Sequence, residues 1–70
     1  MNQEQGIVKW FSPEKGFGFI KSGDVDNIFV HYSGISGTGF KSLSRGQKVV
    51  FKLDHDHRGS IAVEVCLKNN

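Results

Sequence analysis

The segment Lys15-Gly16-Phe17-Gly18-Phe19-Ile20-Lys21 places the tightest limit on how this chain can fold. Side chains of a strand alternate between two faces. Lys15, Phe17, Phe19 and Lys21 therefore share one face, and Gly16, Gly18 and Ile20 share the other. The face with the rings is a poor core, because burying lysine ammonium groups is costly. The opposite face then has to point inward, and its two glycines suit a strand that coils tightly in a small barrel. A second segment repeats the mixture: Asn27, Phe29 and His31 alternate with Ile28, Val30 and Tyr32. Two such strands side by side put three Phe and a His on one exposed surface.

The rest of the chain has the same character. No stretch repeats apolar residues at helical spacing over three turns. Five short runs rich in Val, Ile, Phe and Trp stand between turn residues instead. They span about Gly6 to Ser12, Gly16 to Ser22, Ile28 to Tyr32, Lys48 to Asp54, and a last run in which Ile61, Val63, Val65 and Leu67 alternate. Ser12-Pro13-Glu14-Lys15 reads as a type I turn, and Gly23 to Asp26 as a hairpin connection. A long segment from Ser33 to Gly46 carries Ile35, Phe40 and Leu43, which suggests a loop packed at its ends. Asp54 to Gly59 reads as a loop. A flat sheet of five strands would leave long unpaired edges, so closure is the economical solution. The expected fold is all-β, a five-stranded antiparallel barrel of the oligonucleotide-binding kind. Its inward set is Val8, Ile20, Ile28, Val30, Val49, Phe51, Val63 and Val65. Trp10 falls on the same side as Val8 by simple alternation, so it is either core or re-aimed by a bulge.

With 70 residues, the chain allows one small domain, residues 1–70. Such a chain buries about 60% of its unfolded surface. It has no apolar run of the roughly 18 residues a membrane span needs, and Met1 to Gln5 is no signal peptide. A single cysteine, Cys66, excludes an internal disulfide and fits a reducing cytoplasm. A net charge of +2 permits nucleic acid without demanding it, so charge placement carries the argument. Rings framed by lysines make a platform for a single strand: bases stack on the rings and phosphates meet the ammonium groups. Lys9, Lys15 and Lys21 lie near the rings.

The string Lys15 to Ile20 resembles the first ribonucleoprotein motif, and Ile28-Phe29-Val30-His31-Tyr32 resembles the second. With Gly6-Ile7-Val8-Lys9-Trp10-Phe11 ahead of them, the chain is similar to the bacterial cold-shock proteins from Gly6 to about Leu67. An RNA recognition motif shares the first string, but it is larger, orders the motifs oppositely and needs two helices. The resemblance implies a binder of single-stranded RNA and DNA that prefers pyrimidine-rich stretches and acts as an RNA chaperone or antiterminator. It assigns stacking to Trp10, Phe17, Phe19, Phe29, His31 and Phe40, with Phe11 and Tyr32 at the edge of the surface. It assigns backbone or polar contacts to Lys9, Lys15 and Arg58. The chain differs from the family pattern at Asn27, Tyr32, Ser60-Ile61 and Glu64.

A passive binder needs no cofactor, and no nucleotide-hydrolysis motif is present. Asp54-His55-Asp56-His57 offers metal-ligand chemistry, but four consecutive residues cannot all face one ion, so a polar turn is the better reading. A ribonuclease using His31 with His55 or His57 would need both histidines at one phosphate. A peptide-binding aromatic groove is disfavoured by the lysines around the rings. The expected state is a monomer, with strand exchange through the Ser33 to Gly46 segment as the route to a dimer.

Overall fold

The computed structural model describes residues 3–36, 42–57 and 59–68. Five strands form a closed barrel: β1 (Gln3–Ser12), β2 (Phe17–Ser22), β3 (Val25–His31), β4 (Lys48–Asp56) and β5 (Gly59–Leu67). Around the barrel they run β1-β2-β3-β5-β4, with β4 returning to β1. Four seams are antiparallel. The fifth, between β3 and β5, is parallel, pairing Phe29 with Ile61 and Val30 with Ala62. The expectation of a wholly antiparallel barrel is corrected at that seam. Its cause is the connection after β3, which carries the chain across the barrel before β4.

That connection begins with a single 3-10 turn, Tyr32–Gly34. Ile35 then bridges to Val65, and the Ser36 N–H donates to the Val65 carbonyl at 2.7 Å. Ile35 and Leu43 are both buried, so the segment is packed at its ends. Phe40 lies outside the described residues. Most strands are longer than expected, but β2 starts at Phe17, which leaves Lys15 and Gly16 in the turn and not on a strand face, and β3 ends at His31, before Tyr32. β1 starts at Gln3 because Gln3 to Ile7 pair with β4. β4 and β5 continue pairing to Asp56 and Gly59, so most of the expected Asp54 to Gly59 loop is strand. Ladder hydrogen bonds to a partner outweigh the low strand preference of Asp.

The core consists of Val8, Ile20, Ile28, Val30, Ile35, Leu43, Val49, Phe51, Ala62 and Val65. Val63, expected inside, is replaced there by Ala62. Between the pairs Lys52–Val63 and Val50–Cys66, β5 holds one residue more than β4. Glu64 sits in that bulge with φ 52°, a left-handed conformation that is uncommon for a residue with a Cβ. The extra residue resets the alternation, so Ala62 and Val65 both point inward and Val63 does not.

A second bulge decides Trp10. Val8 pairs with Ile20 while Trp10 pairs with Phe19, so β1 holds one residue more than β2 there. Val8 stays buried, and Trp10 turns out, 45% exposed. A third bulge, in β3 near Asn27 (φ 54°), lies between the Ser22–Val25 and Ile20–Ile28 pairs.

Ile28 is fully buried beside Ile20. Truncating Ile28→Ala should cost about 2–5 kcal/mol through lost burial and the cavity left behind. In a domain this small that approaches the whole folding margin. A thermal or urea melt should show it directly; an unchanged midpoint would mean that the inward face has been assigned wrongly.

Candidate nucleic-acid interface

The opposite faces of β2 and β3 present the rings. Cross-strand pairing sets Phe19 against Phe29 and Phe17 against His31, and the β1 bulge adds Trp10 beside Phe19. Phe17 and Phe29 stack at 5.7 Å with 27° between their planes, and Trp10 and Phe19 at 6.3 Å with 25°. Trp10 meets Phe17 edge-on at 5.6 Å, and Phe19 meets Phe29 edge-on at 6.0 Å. These separations are those of favourable aromatic pairs. The four rings brace one another while staying partly or largely open to solvent, so each keeps surface on which a base can stack.

His31 ends β3 and caps the 3-10 turn. Its Nδ1 accepts a hydrogen bond from the Ser33 N–H at 3.2 Å and lies 2.8 Å from the Ser33 hydroxyl. With Nδ1 accepting, the neutral ring carries its proton on Nε2. Tyr32 would share the Ile28 and Val30 face if β3 continued, but the turn rotates it out to 50% exposure, 4.6 Å from the His31 ring. It also covers Gly16. A Cβ on Gly16 would come within 2.6 Å of the Tyr32 ring, and Gly16 has φ 78°. Phe11 packs half-buried against the core.

The cations are not equivalent. Lys15 is exposed in the turn after β1, where its N–H donates to the Ser12 hydroxyl at 3.3 Å. Lys21 is exposed, two residues beyond Phe19 on the same strand. Lys9 is held: its Nζ donates to Asp26 Oδ1 at 2.8 Å and to Asn27 Oδ1 at 3.1 Å. The Lys9 hydrogen bond holds the Asp26 carboxyl below its ordinary 3.8 against the opposing effect of desolvation, with smaller help from the Asn27 N–H and from the charges of Lys9 and Lys21. Arg58 and Phe40 lie outside the described residues.

Sequence reasoning missed two parts of this surface. One is the Asp26 and Asn27 pair that holds Lys9; Asp-Asn in a hairpin gives no signal of a partner on β1. The other is a groove of about 470 Å³ between β3 and β5, lined by residues including Phe29, His31, Ser33, Ile61 and Val63. It lies along the parallel seam, whose ladder stops at Val30–Ala62 before the Ile35–Val65 bridge, and no local pattern encodes that pairing. Among the described residues, no three His, Cys, Asp or Glu side chains gather as a metal site, and no helix is long and apolar enough to cross a membrane.

Comparison with known proteins agrees with this geometry. The model of the "'Cold-shock' DNA-binding domain" family matches residues 4–68. The chain belongs to the cold-shock domain family. It is 55% identical over 62 residues to the cold shock protein CspC of Bacillus subtilis (strain 168), covering 89% of this chain and 94% of that protein. It is 50% identical over 64 residues to the major cold shock protein CspA of Pseudomonas aeruginosa, covering 91% and 93%. A major cold shock protein of Streptococcus pyogenes serotype M6 is 49% identical over 61 residues, covering 87% and 91%. Cold-shock domain proteins bind nucleic acid and serve the stress response; they are not enzymes.

The Lys9–Asp26 pair gives a prediction about protonation. A depressed carboxyl pKa means that the pair stabilises the fold above the unfolded-state value and ceases to do so as pH falls through the lowered folded value. An NMR titration of the Asp26 carboxyl should give a midpoint below 3.8. In Lys9→Ala the midpoint should move back up, and a midpoint that stays put would exclude Lys9 as the cause.

Proposed function

We propose that this cold-shock domain binds single-stranded RNA and DNA, with a preference for pyrimidine-rich stretches, by stacking bases on Trp10, Phe17, Phe19, Phe29, His31 and Phe40. Phe11 and Tyr32 form the rim of that surface, and Lys9, Lys15, Lys21 and Arg58 meet phosphates. The observation that carries this reading is the partition of β2 and β3. Ile20, Ile28 and Val30 are fully buried on one face, while Phe17, Phe19 and Phe29 cluster on the other within 6.4 Å of one another. A fold that needed those rings for stability would place them inside.

The mechanism needs only binding energy. A base in a duplex is stacked on its neighbours and offers no free face, so the platform selects strands that are open or transiently open. Each base stacked on an aromatic ring contributes about 1–3 kcal/mol. A protein that captures open strands shifts weak hairpins toward the single-stranded form by mass action, without ATP. This is the behaviour of an RNA chaperone, and it yields antitermination where the hairpin is a terminator. A cytoplasmic monomer, the whole chain acting as one domain, suffices for this.

Two measurements test the reading. Titrating Trp10 fluorescence with oligothymidine, and then with a duplex of equal length, should show the single strand bound far more tightly; equal affinities would sink the proposal. Phe29→Ala should weaken oligothymidine binding by about 1–3 kcal/mol while shifting the melting midpoint far less than Ile28→Ala does. If Phe29→Ala unfolds the protein instead, the ring face belongs to the core.

A further inference from the structure

A second basic surface adjoins the platform. Lys21 on β2 and Lys48 on β4 are both register partners of Ile7 on β1, one on each side of it. The Lys68 N–H donates to the Lys48 carbonyl at 3.0 Å, which sets Lys68 next in the row. With neighbouring strands about 4.8 Å apart, the Lys21 and Lys48 backbones are about 10 Å apart and Lys68 is roughly 5 Å further. The three lysines border a cleft of about 500 Å³ that also takes in Gln5, Gly6, Ile7 and Gly23. Ile7 lies in it with 48% of its surface exposed. No carboxylate lines this cleft among the described residues; Asp26 feels the charge of Lys21 but is not part of the lining. The ion pairs among the described residues, Lys9–Asp26 and Lys52–Glu64, leave all three lysines unused.

We propose that this cleft is an extension of the nucleic-acid path, in which a strand leaving the ring platform at Lys21 crosses Ile7 and places about two further phosphates against Lys48 and Lys68. This rests on the platform reading above. Lys21 joins the two surfaces, because it stands two residues from Phe19 on the same strand and also lines the cleft. The chemistry changes along the path. The platform offers mainly rings, with Lys9 held by Asp26 and Lys15 and Lys21 at its edge; the cleft offers ammonium groups without an ion-pair partner among the described residues, around a single aliphatic side chain. It therefore fits a sugar–phosphate backbone without base selection. A polyanionic strand matches an acid-free cleft by charge, and the direct continuation from the ring sheet favours the same strand over a separate acidic protein.

The test uses oligothymidines of about six and about ten nucleotides, the shorter supplying roughly one base per platform ring. Binding is measured against the parent chain and a Lys48→Gln/Lys68→Gln variant across a salt series. The parent should bind the longer strand several-fold more tightly, with a slope of log K against log salt steeper by about 1.4, at roughly 0.7 per phosphate. The variant should match the parent on the shorter strand and lose most of the extra affinity and slope on the longer one. The statistical advantage of a longer strand is common to both proteins, so only their difference counts. Lys48→Glu, which reverses the charge at an exposed site, should lower the longer strand's affinity below that of Lys48→Gln. Equal length gains in parent and variant would overturn the proposal and leave the cleft to some other anionic partner. Equal losses at both lengths would also overturn it, by reducing the lysines to a diffuse field. If the parent fails to bind even the shorter strand, the platform reading itself falls, an outcome distinct from the others.

Discussion

The missing side chain at Gly18 is the constraint on which much else depends. A Cβ there would run into the Trp10 carbonyl and come within 2.6 Å of the Phe11 Cα. Both obstacles are backbone of β1, which cannot step aside as a flexible side chain would. Only a residue without a side chain lets β1 approach β2 this closely. That approach coincides with the β1 bulge, which keeps Val8 in the core and presents Trp10 beside Phe17 and Phe19. The aromatic platform and the closed barrel thus rest on the same contact.

From that contact follows a division of labour between the two faces of one sheet. The fully buried centre of the core is supplied by β-branched residues, Val8, Ile20, Ile28, Val30, Val49 and Val65, and one aromatic, Phe51. The rings of Trp10, Phe17, Phe19 and Phe29 are kept out of the core and braced by one another. Their mutual contacts hold them in place with little dependence on the ligand, so less rotamer entropy is lost on binding. The electrostatics around them are restrained: Lys9 is tied to Asp26 and Asn27, and Lys52 to Glu64. In the binding mode proposed above, stacking leads and charge assists near the rings, and on the Ile7 side the balance is reversed.

Two non-glycine residues in the left-handed region, Asn27 and Glu64, mark two of the bulges that reset the strands. Asn bears this conformation better than most residues, because its short polar side chain can hydrogen-bond locally. Glu has no such advantage. Its position is maintained by the ladder on either side of it, from Lys52–Val63 to Val50–Cys66, and its carboxylate reaches Lys52 at 3.3 Å. At Glu64 this chain carries strain that the barrel has to hold.

How much of this was legible without the structure depends on the distance over which each feature is decided. The faces of β2 and the outer half of β3 were readable because alternation is a property of a few adjacent residues, and a Lys-Phe-Phe-Lys face cannot be a core. The absence of helices, the five strand runs and the all-β class came from the same local periodicity, and the family followed from two short motifs. The partners of those strands were not readable. Trp10 required a bulge that exists only against β2. Val63 was misplaced because one extra residue opposite β4 shifts the phase of β5. The parallel β3–β5 seam, the groove beside Phe29, the Asp26 hold on Lys9 and the row of lysines around Ile7 all join residues far apart in sequence. The sequence alone determined which side of each short strand is apolar, since a side chain's face depends only on its neighbours. Register, bulges and closure were decided by the tertiary structure, because they depend on which backbones can approach one another, and that is settled only when all five strands pack at once.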